Sequence, residues 1–392
     1  MRILVLTFYY RPDLCAGSFR MTPFVAALRE RIPAGTQIDV VTTLPNRYST
    51  FSQDAAEIET EDGLEVRRIR LPSHRSDMSN QARAFLYFAR RALAVTRSRK
   101  YDLVFATSSR LMTAALGAYI ARRQRAPLYL DLRDIFVDTI RDVLPQPAAW
   151  PLSHCFSLVE SWAVKRADRI NLVSRGFENY FRTRYGERPF SWFTNGIDDE
   201  FLDVVPAGAR RARAGPATIL YAGNIGEGQQ LHEILPALAG ELRTRARFVV
   251  IGDGGRRDAL VAALAGAGID NVELRSPINR RALLEAYREA DVLFLHLGAY
   301  AAFEKVLPSK LFEYGALGKP VLAGVAGYAA KFVREEINNA AVFMPCDARG
   351  AVAAFDSLQL VSAARPDFVA KFARANIVRA MADDVLELLP QA

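Results

Sequence analysis

The sequence predicts an α/β protein built from two Rossmann-like, doubly wound parallel-sheet domains in tandem, facing a cleft. Three observations predict it. At 392 residues the chain exceeds what one ordinary core organises. Short apolar runs rich in β-branched residues alternate with longer stretches of helical periodicity, as expected of strands buried on both faces and joined by helices. Near the middle, a stretch through Pro206, Gly208, Gly215 and Pro216 interrupts that alternation.

The first domain, 1–203, is expected to hold strands at 3–8, 38–42, 64–69, 103–107, 128–131, 169–173 and 191–194. Helices fall between them, for example at 19–31, 112–122 and 156–166. Residues 204–216 form the expected linker. The second domain, 217–365, repeats the pattern with strands at 218–222, 247–251, 272–274, 292–295, 321–323 and 341–344. Its helices include 230–241, 257–267, 280–289 and 310–317. A helical tail, 366–392, with its helix at 367–389, can pack back on either domain. Ligands of such sheets bind beyond the carboxyl ends of the strands, so two domains of this kind would hold substrates in the cleft between them.

Composition narrows the class. A hydrophobic share of 51% and a mean hydropathy of +0.02 fit a soluble globular chain. No run approaches the roughly 18 to 20 apolar residues of a membrane span. The opening apolar run reads as a first buried strand, because no small-residue cleavage site follows it. Cys15, Cys155 and Cys346 are odd in number and match no zinc spacing, which suggests a reducing cytoplasm. His74, His154, His232 and His296 show no paired metal spacing; His296, at a strand end, can line the cleft or serve the core. The net charge of +8 is uneven: residues 1–150 carry 22 basic and 15 acidic side chains, residues 151–392 carry 29 and 28. A basic half points to nucleic acid, anionic lipid or an acidic substrate.

The segment from Phe303 to Pro320 is the most informative. Pro308 and Ser309 end one segment and can open a helix, with Ser309 as its N-cap. Lys305 and Lys310 beside that helix start would suit a diphosphate. Glu313, one turn in, could accept hydrogen bonds from two sugar hydroxyls. Gly318, Lys319 and Pro320 stop the helix and feed an apolar strand. Together these residues suit a nucleotide diphosphate-sugar; the plain alternative is an amphipathic helix with solvated lysines.

Other strand-end turns add candidates. Gly17 and Ser18 open the first helix and give close backbone approach to an acceptor or a donor phosphate. Gly223, Asn224, Gly226, Gly228 and Gln229 form a glycine-rich turn without the Walker or GxGxxG pattern. Gly252, Asp253 and Gly254 form another, in which Asp253 could instead cap the helix from Arg257. Asp131, Arg133, Asp134 and Asp138 follow a buried strand, where an acid could orient an acceptor hydroxyl or act as a base; an Arg–Asp pair holding the loop is the alternative. Segment 83–100 carries Arg83, Arg90, Arg91, Arg97, Arg99 and Lys100 and no acid, interleaved with Phe85, Leu86, Tyr87 and Phe88. Such a helix suits an inner-leaflet membrane contact, or a core-packed helix with a solvated basic face. Nucleic acid is disfavoured, since no recognised binding module accompanies it.

The second half resembles the GT-B glycosyltransferases of family 4. The matching pieces are Tyr221-Ala222-Gly223-Asn224, Val250-Ile251-Gly252-Asp253-Gly254, Tyr287-Arg288-Glu289-Ala290-Asp291-Val292 and Leu307-Pro308-Ser309-Lys310-Leu311-Phe312-Glu313-Tyr314 with Gly318-Lys319-Pro320. Phe193-Thr194-Asn195-Gly196-Ile197-Asp198 looks like the signature before the family's interdomain linker. Within the family the chain looks most like bacterial O-antigen and capsule enzymes, in particular N-acetyl-L-fucosamine transferases. The resemblance implies retaining, metal-independent transfer from a UDP-sugar, with no cofactor, to a polyprenyl-linked or other glycan acceptor. It gives Glu313 the ribose, and gives the base to the backbone around Ser276 and Ile278. Two departures stand out. The family's partner acid, counted back from Glu313, falls on Lys305, with Glu304 one position off. Asn224 and Gln229 stand where basic phosphate ligands are usual, so Lys305 and Lys310 are expected to supply that charge. Lys305, Glu304 and Asp134 are the catalytic candidates, and Arg133 and Asp138 the acceptor contacts. A UDP-sugar 2-epimerase of the same fold and a non-catalytic nucleotide-sugar-binding protein are the alternatives.

Overall fold

A computed structural model describes residues 1–13, 15–45, 55–72, 78–108, 111–138, 149–202 and 215–390. The chain divides into two compact units, Met1–Asn195 with Arg374–Ala392, and Gly196–Ala373. The first boundary thus precedes the expected linker, most of which lies outside the described residues. The second divides the expected tail.

Unit 1 holds an eight-stranded sheet. Its strands are β1 (Arg2–Leu6), β2 (Gln37–Thr43), β3 (Ile58–Glu61), β4 (Leu64–Ile69), β5 (Leu103–Thr107), β6 (Leu128–Leu132), β7 (Arg169–Leu172) and β8 (Phe190–Ser191), in the order β3-β4-β2-β1-β5-β6-β7-β8. All neighbours are parallel except β3 with β4. The sequence reading missed β3 because Ile58, Glu59, Thr60 and Glu61 alternate without a buried apolar run. The reversal from β2 to β5 about β1 makes the sheet doubly wound.

Helices α1 (Ala16–Arg31), α2 (Met78–Arg97), α3 (Leu111–Gln124), α4 (Ala149–Arg166) and α5 (Glu178–Tyr185) connect the strands. The alternation of strand side chains decides which helix lies where. Phe24 and Leu28 of α1 pack with Ile3, Val5, Leu103 and Phe105. On the opposite face Gly117 of α3 lies against Ala106 and Leu6; a Cβ there would stand 2.3 Å from the Ala106 Cβ.

Unit 2 holds a six-stranded, all-parallel sheet: β9 (Ala217–Ala222), β10 (Ala246–Ile251), β11 (Val272–Arg275), β12 (Val292–His296), β13 (Val321–Gly324) and β14 (Ala340–Phe343), in the order β11-β10-β9-β12-β13-β14. Its helices are α6 (Asp199–Leu202), α7 (Leu231–Glu241), α8 (Arg257–Gly266), α9 (Arg280–Glu289), α10 (Lys310–Ala316), α11 (Gly327–Glu336), α12 (Ala348–Ser357) and α13 (Pro366–Phe372). Two apolar clusters sandwich the sheet, one containing Leu220, Leu293 and Phe312, the other Ile219, Leu235 and Phe294.

The expected single tail helix is two. Ala373 leaves helical geometry at φ −54°, ψ 121° and bridges Ile197 as a strand would. Helix α14 (Arg374–Leu386) then packs on α1 through Val378, Met381 and Val385. The described residues include no helix long and apolar enough to cross a membrane. They include no group of three or more His, Cys, Asp or Glu arranged to hold a metal.

Candidate active site

The glycine-rich turns after β9 and β10 are pressed together at the carboxyl edge of the unit 2 sheet. Gly223 N–H donates to the Ile251 carbonyl (2.9 Å) and Ile225 N–H to the Asp253 carbonyl (2.9 Å). A Cβ on Gly252 would stand 1.8 Å from the Gly223 carbonyl oxygen, and one on Gly254 2.5 Å from that of Ile225. Backbone on backbone leaves no room for side chains, so these glycines are fixed by contact.

Asn224, exposed, and Gln229, half-buried, are bonded to each other. The Asn224 Nδ2 donates to Gln229 Oε1 (2.8 Å), which also accepts from the Gly226 N–H (3.2 Å). Two neutral amides thus close the loop on itself. Asp253 does not cap α8: its carboxylate accepts from the Gly254 N–H (2.8 Å), and the residue before α8 is Arg256, without a side-chain cap.

Lys310 opens α10 and lays its side chain over Gly223. A Cβ there would meet the Lys310 Cε at 2.6 Å and Nζ at 3.1 Å. Among the described residues no hydrogen bond or salt bridge holds this ammonium. Its pKa is lowered by burial and by Arg280, while Glu313, one turn on, opposes the shift. The half-buried Glu313 carboxylate accepts from the Tyr287 hydroxyl at 3.4 Å. Ser309 occupies the N-cap position but is helical (φ −59°, ψ −29°), and its hydroxyl makes no capping bond. The expected cap is therefore absent: Pro308 already turns the chain, with Leu311 N–H donating to its carbonyl (3.1 Å).

Helix α10 is anchored at its far end by a residue the sequence reading did not single out. Arg365 donates to the carbonyls of Gly315 (3.1 Å) and Lys319 (2.9 Å), satisfying groups that a helix leaves open. Lys319 does the same for α9, through the Arg288 (2.9 Å) and Ala290 (2.8 Å) carbonyls. Arg280 at the start of α9 was also missed. It pairs with Asp198 (2.7 Å) and stacks over Phe201.

Glu304 and Lys305 end a short 3-10 turn, Ala301–Lys305. Glu304 is exposed, and its backbone is pressed on Gly327 at the start of α11, where a Cβ would lie 2.1 Å from the Glu304 carbonyl oxygen. Lys305 is half-buried. Ser276 and Ile278 are exposed between β11 and α9, next to Asn279, whose side chain caps α9 by accepting from Ala282 N–H (2.9 Å). His296 is fully buried at the end of β12. It bonds the Gln229 carbonyl through Nδ1 (2.7 Å), and its Nε2 accepts from Cys346 N–H (2.9 Å). Burial lowers its pKa to about 4, so the ring is neutral and carries its proton on Nδ1.

In unit 1, Gly17 and Ser18 lie in the first turn of α1, buried, with Gly17 beneath Tyr9 and the Arg133 guanidinium. Arg133 donates to the Ala16 carbonyl (3.1 Å), and its backbone N–H to Ser108 Oγ (2.9 Å). Asp134 keeps solvent contact, yet the protein crowded round it raises its carboxyl to about 6, with Arg133 opposing. Asp138 is half-buried, near the Glu160 carboxylate. Asp131 is structural. It is fully buried and held by Arg20 through two bonds of 2.9 Å and by Asn171 (2.7 Å). Burial pushes its pKa up, but Arg20 outweighs that and the net shift is downward. The same Arg20 donates to the Phe193 and Thr194 carbonyls (both 2.8 Å), fixing the extended segment that follows β8.

Two family models match the chain in succession: the glycosyl transferase 4-like domain over residues 17–190 and glycosyl transferases group 1 over residues 209–369. The chain is a glycosyltransferase of these two families, one in each half. This glycosyltransferase is 28% identical to a glycogen synthase of Mycobacterium tuberculosis over 192 residues, 45% of each chain. It is 34% identical over 115 residues to the UDP-N-acetylglucosamine–N-acetylmuramyl-(pentapeptide) pyrophosphoryl-undecaprenol N-acetylglucosamine transferase of Thiobacillus denitrificans, 29% of this chain and 30% of that one. The alignments thus span less than half of either curated relative. Among solved structures, a sucrose-phosphate synthase from Thermosynechococcus elongatus superposes with a TM-score of 0.66 at 14% identity, over 99% of this chain and 96% of that one. Anabaena HepE in complex with UDP-glucose does so at 0.61 and 15%, over 99% and 97%. At such identities the structures establish the fold of the glycosyltransferase.

Proposed function

We propose that the chain transfers a sugar, N-acetylated in our reading, from a UDP-sugar to a lipid-linked saccharide in the biosynthesis of a surface polysaccharide such as an O-antigen or capsule. The reading includes retention at the anomeric carbon, no metal ion, and work in the cytoplasm at the inner membrane face. One observation supports it most directly. The Lys310 ammonium, without a hydrogen bond or salt bridge among the described residues, lies over the Gly223 backbone, and Glu313 follows one turn later. A diphosphate takes a cation beside close-packed backbone, and a ribose takes a carboxylate. The UDP-glucose in the Anabaena neighbour favours a uridine donor, and the pyrophosphoryl-undecaprenol in the name of the Thiobacillus relative favours a lipid-linked acceptor.

In this reading the bond from the anomeric carbon to the diphosphate breaks as the acceptor oxygen bonds on the same face. The leaving phosphate oxygen takes the acceptor proton. The protein then has mainly electrostatic work, done by the ammonium groups of Lys310 and Lys305. Asp134, Arg133 and Asp138 position the acceptor. Glu304, whose side chain is exposed, is assigned to the transferred sugar.

The test is a thermal-shift titration with UDP, GDP and ADP, with and without EDTA, on the wild type and Glu313→Ala. A ligand that binds only the native state must raise the midpoint. An EDTA-insensitive shift with UDP alone, lost in Glu313→Ala, supports the donor site. No shift with any nucleotide overturns it.

A further inference from the structure

The sequence expectation of a basic, acid-free helix concerned α2 alone. In the structure α2 packs beside α3 and α3 beside α4, forming one layer of unit 1. The outer surface of this layer stands apart among the described residues. It exposes Leu86 (65%), Tyr87 (42%), Tyr119 (44%), Trp150 (71%) and Leu158 (62%), half of all the large hydrophobic residues that are exposed among the described residues. Among the described residues its three helices expose no acid. The three helices contain a single one, Glu160, which is buried and accepts from the Tyr180 (2.8 Å) and Tyr185 (2.7 Å) hydroxyls.

Chain-wide composition explains the arginines, which outnumber lysines 44 to 7, but not the missing acids. At 43 acids in 392 residues, three helices of this combined length would carry five or six. Every other helix labelled above has at least one, among them Glu30 in α1, Glu178 in α5 and Asp383 in α14. The basic side chains of the layer are also uncommitted: Arg83, Arg90, Arg91, Arg97, Arg122 and Arg123 make no side-chain hydrogen bond or ion pair among the described residues. A cavity of about 190 Å³ opens between α2 and α3, lined by Arg97, Arg99 and Arg123 beside Leu93 and Ile120. Arg99 is neutralised there by Asp39 (2.7 Å) and Glu65 (2.8 Å), which leaves Arg97 and Arg123 to meet an anion.

We propose that the α2–α3–α4 face seats unit 1 on an anionic lipid bilayer. Trp150, Tyr87 and Tyr119 would lie at headgroup depth with Leu86 and Leu158 below them, as amphipathic rings and apolar side chains do at such interfaces. The guanidinium groups bind lipid phosphates, and the cavity between α2 and α3 receives one of them. The complementary charge is the reason for choosing a bilayer over a protein surface: every uncommitted charge on the face is positive. The inference rests on the proposed lipid-linked reaction only for its biological sense. Its test reads vesicles, with neither donor nor acceptor present, so the two can fail separately.

The experiment is co-sedimentation of the full chain with vesicles of phosphatidylcholine, with and without phosphatidylglycerol. The variants are Arg122→Glu/Arg123→Glu and Trp150→Ser/Leu158→Ser, which test α3 and α4. The control is Arg334→Glu/Arg349→Glu, an equal charge change in unit 2, and thermal melting checks that each variant folds. Binding confined to anionic vesicles is expected, weakened about tenfold or more by either layer variant and less than threefold by the control. Equal binding to neutral vesicles, unchanged binding by both layer variants, or an equal loss in the control would overturn the proposal. So would a wild-type dimer that Trp150→Ser/Leu158→Ser dissociates, which would make the face a protein interface.

Discussion

The Lys310 side chain crosses the face of Gly223, with its Cε where a Cβ of residue 223 would come within 2.6 Å. Contrast Gly252, where a Cβ would strike the Gly223 carbonyl oxygen at 1.8 Å. The end of a lysine can swing aside; a backbone carbonyl in a packed turn cannot. Gly223→Ala is therefore expected to displace Lys310 and weaken UDP by about tenfold, the loss of one charge-assisted contact, while the φ of +157° at residue 223 costs some stability as well. Lys310→Met removes the cation and should cost about 1.5–3 kcal/mol of UDP binding. Gly252→Ala is expected to lower thermal stability before affinity is at issue. Calorimetric titration and melting curves on the three variants separate these effects; unchanged UDP affinity in Lys310→Met would remove Lys310 from the donor site.

Lys305 closes the 3-10 turn five residues before Lys310. Its charge is expected to matter most as the diphosphate leaves, because only interactions stronger in the transition state raise turnover. Lys305→Ala should lower kcat about tenfold or more and change donor affinity little. Steady-state kinetics with purified donor and acceptor decide this, and an unchanged kcat takes Lys305 off the catalytic list.

His296 links the turn ending at Gln229 to the backbone of Cys346 as a neutral ring. Its folded pKa, about 4, lies below the 6.5 of an unfolded histidine. Between those values the unfolded state binds more protons, so stability rises with pH. The contribution is complete above pH 6.5 and falls away toward pH 4, by ~3 kcal/mol across the window. Denaturant melts of the wild type and His296→Gln at pH 7.5 and 5.0 should show the smaller pH loss in the variant. An equal loss would assign the acid sensitivity elsewhere.

The Arg20–Asp131 pair is buried on both sides, with side-chain exposures of 1% and 0%. Removing one partner leaves an uncompensated charge in the core, which typically costs about 3–5 kcal/mol. Arg20→Met is expected to fall in that range and to loosen the segment at 193–194 that its guanidinium holds. Arg20→Met/Asp131→Leu should recover part of the loss, and chemical denaturation of the single and double variants measures it. A single variant as stable as the wild type would contradict the structural role assigned to Asp131.

Local pattern made much of this chain legible. Strands β4 and β5 and helix α9 fall at the expected residues, because apolar runs and helical periodicity are properties of short windows. Helix α10 ends one residue earlier than expected, and β8 shrinks to two residues, since strand ends depend on what a neighbour can pair with. Glu313 and Lys310 were readable for the same local reason: their i, i+3 spacing sets them on one helix face. The bond between Asn224 and Gln229 was not, because which partner an amide meets depends on how the loop closes.

By itself, the sequence determined two parallel α/β sheets, their glycine-rich turns and the Lys310–Glu313 helix, because periodicity and turn chemistry act over a few residues. Only the tertiary structure decided the partners of distant charges. It gave Asp131 to Arg20 across 111 positions, and gave the carbonyls at the end of α10 to Arg365. It broke the tail at Ala373 and returned α14 to the first sheet. It set three acid-poor helices side by side. The physical reason is common to all four: burial forces each polar group to find a partner, and each apolar face a cover, wherever the folded chain brings one within reach.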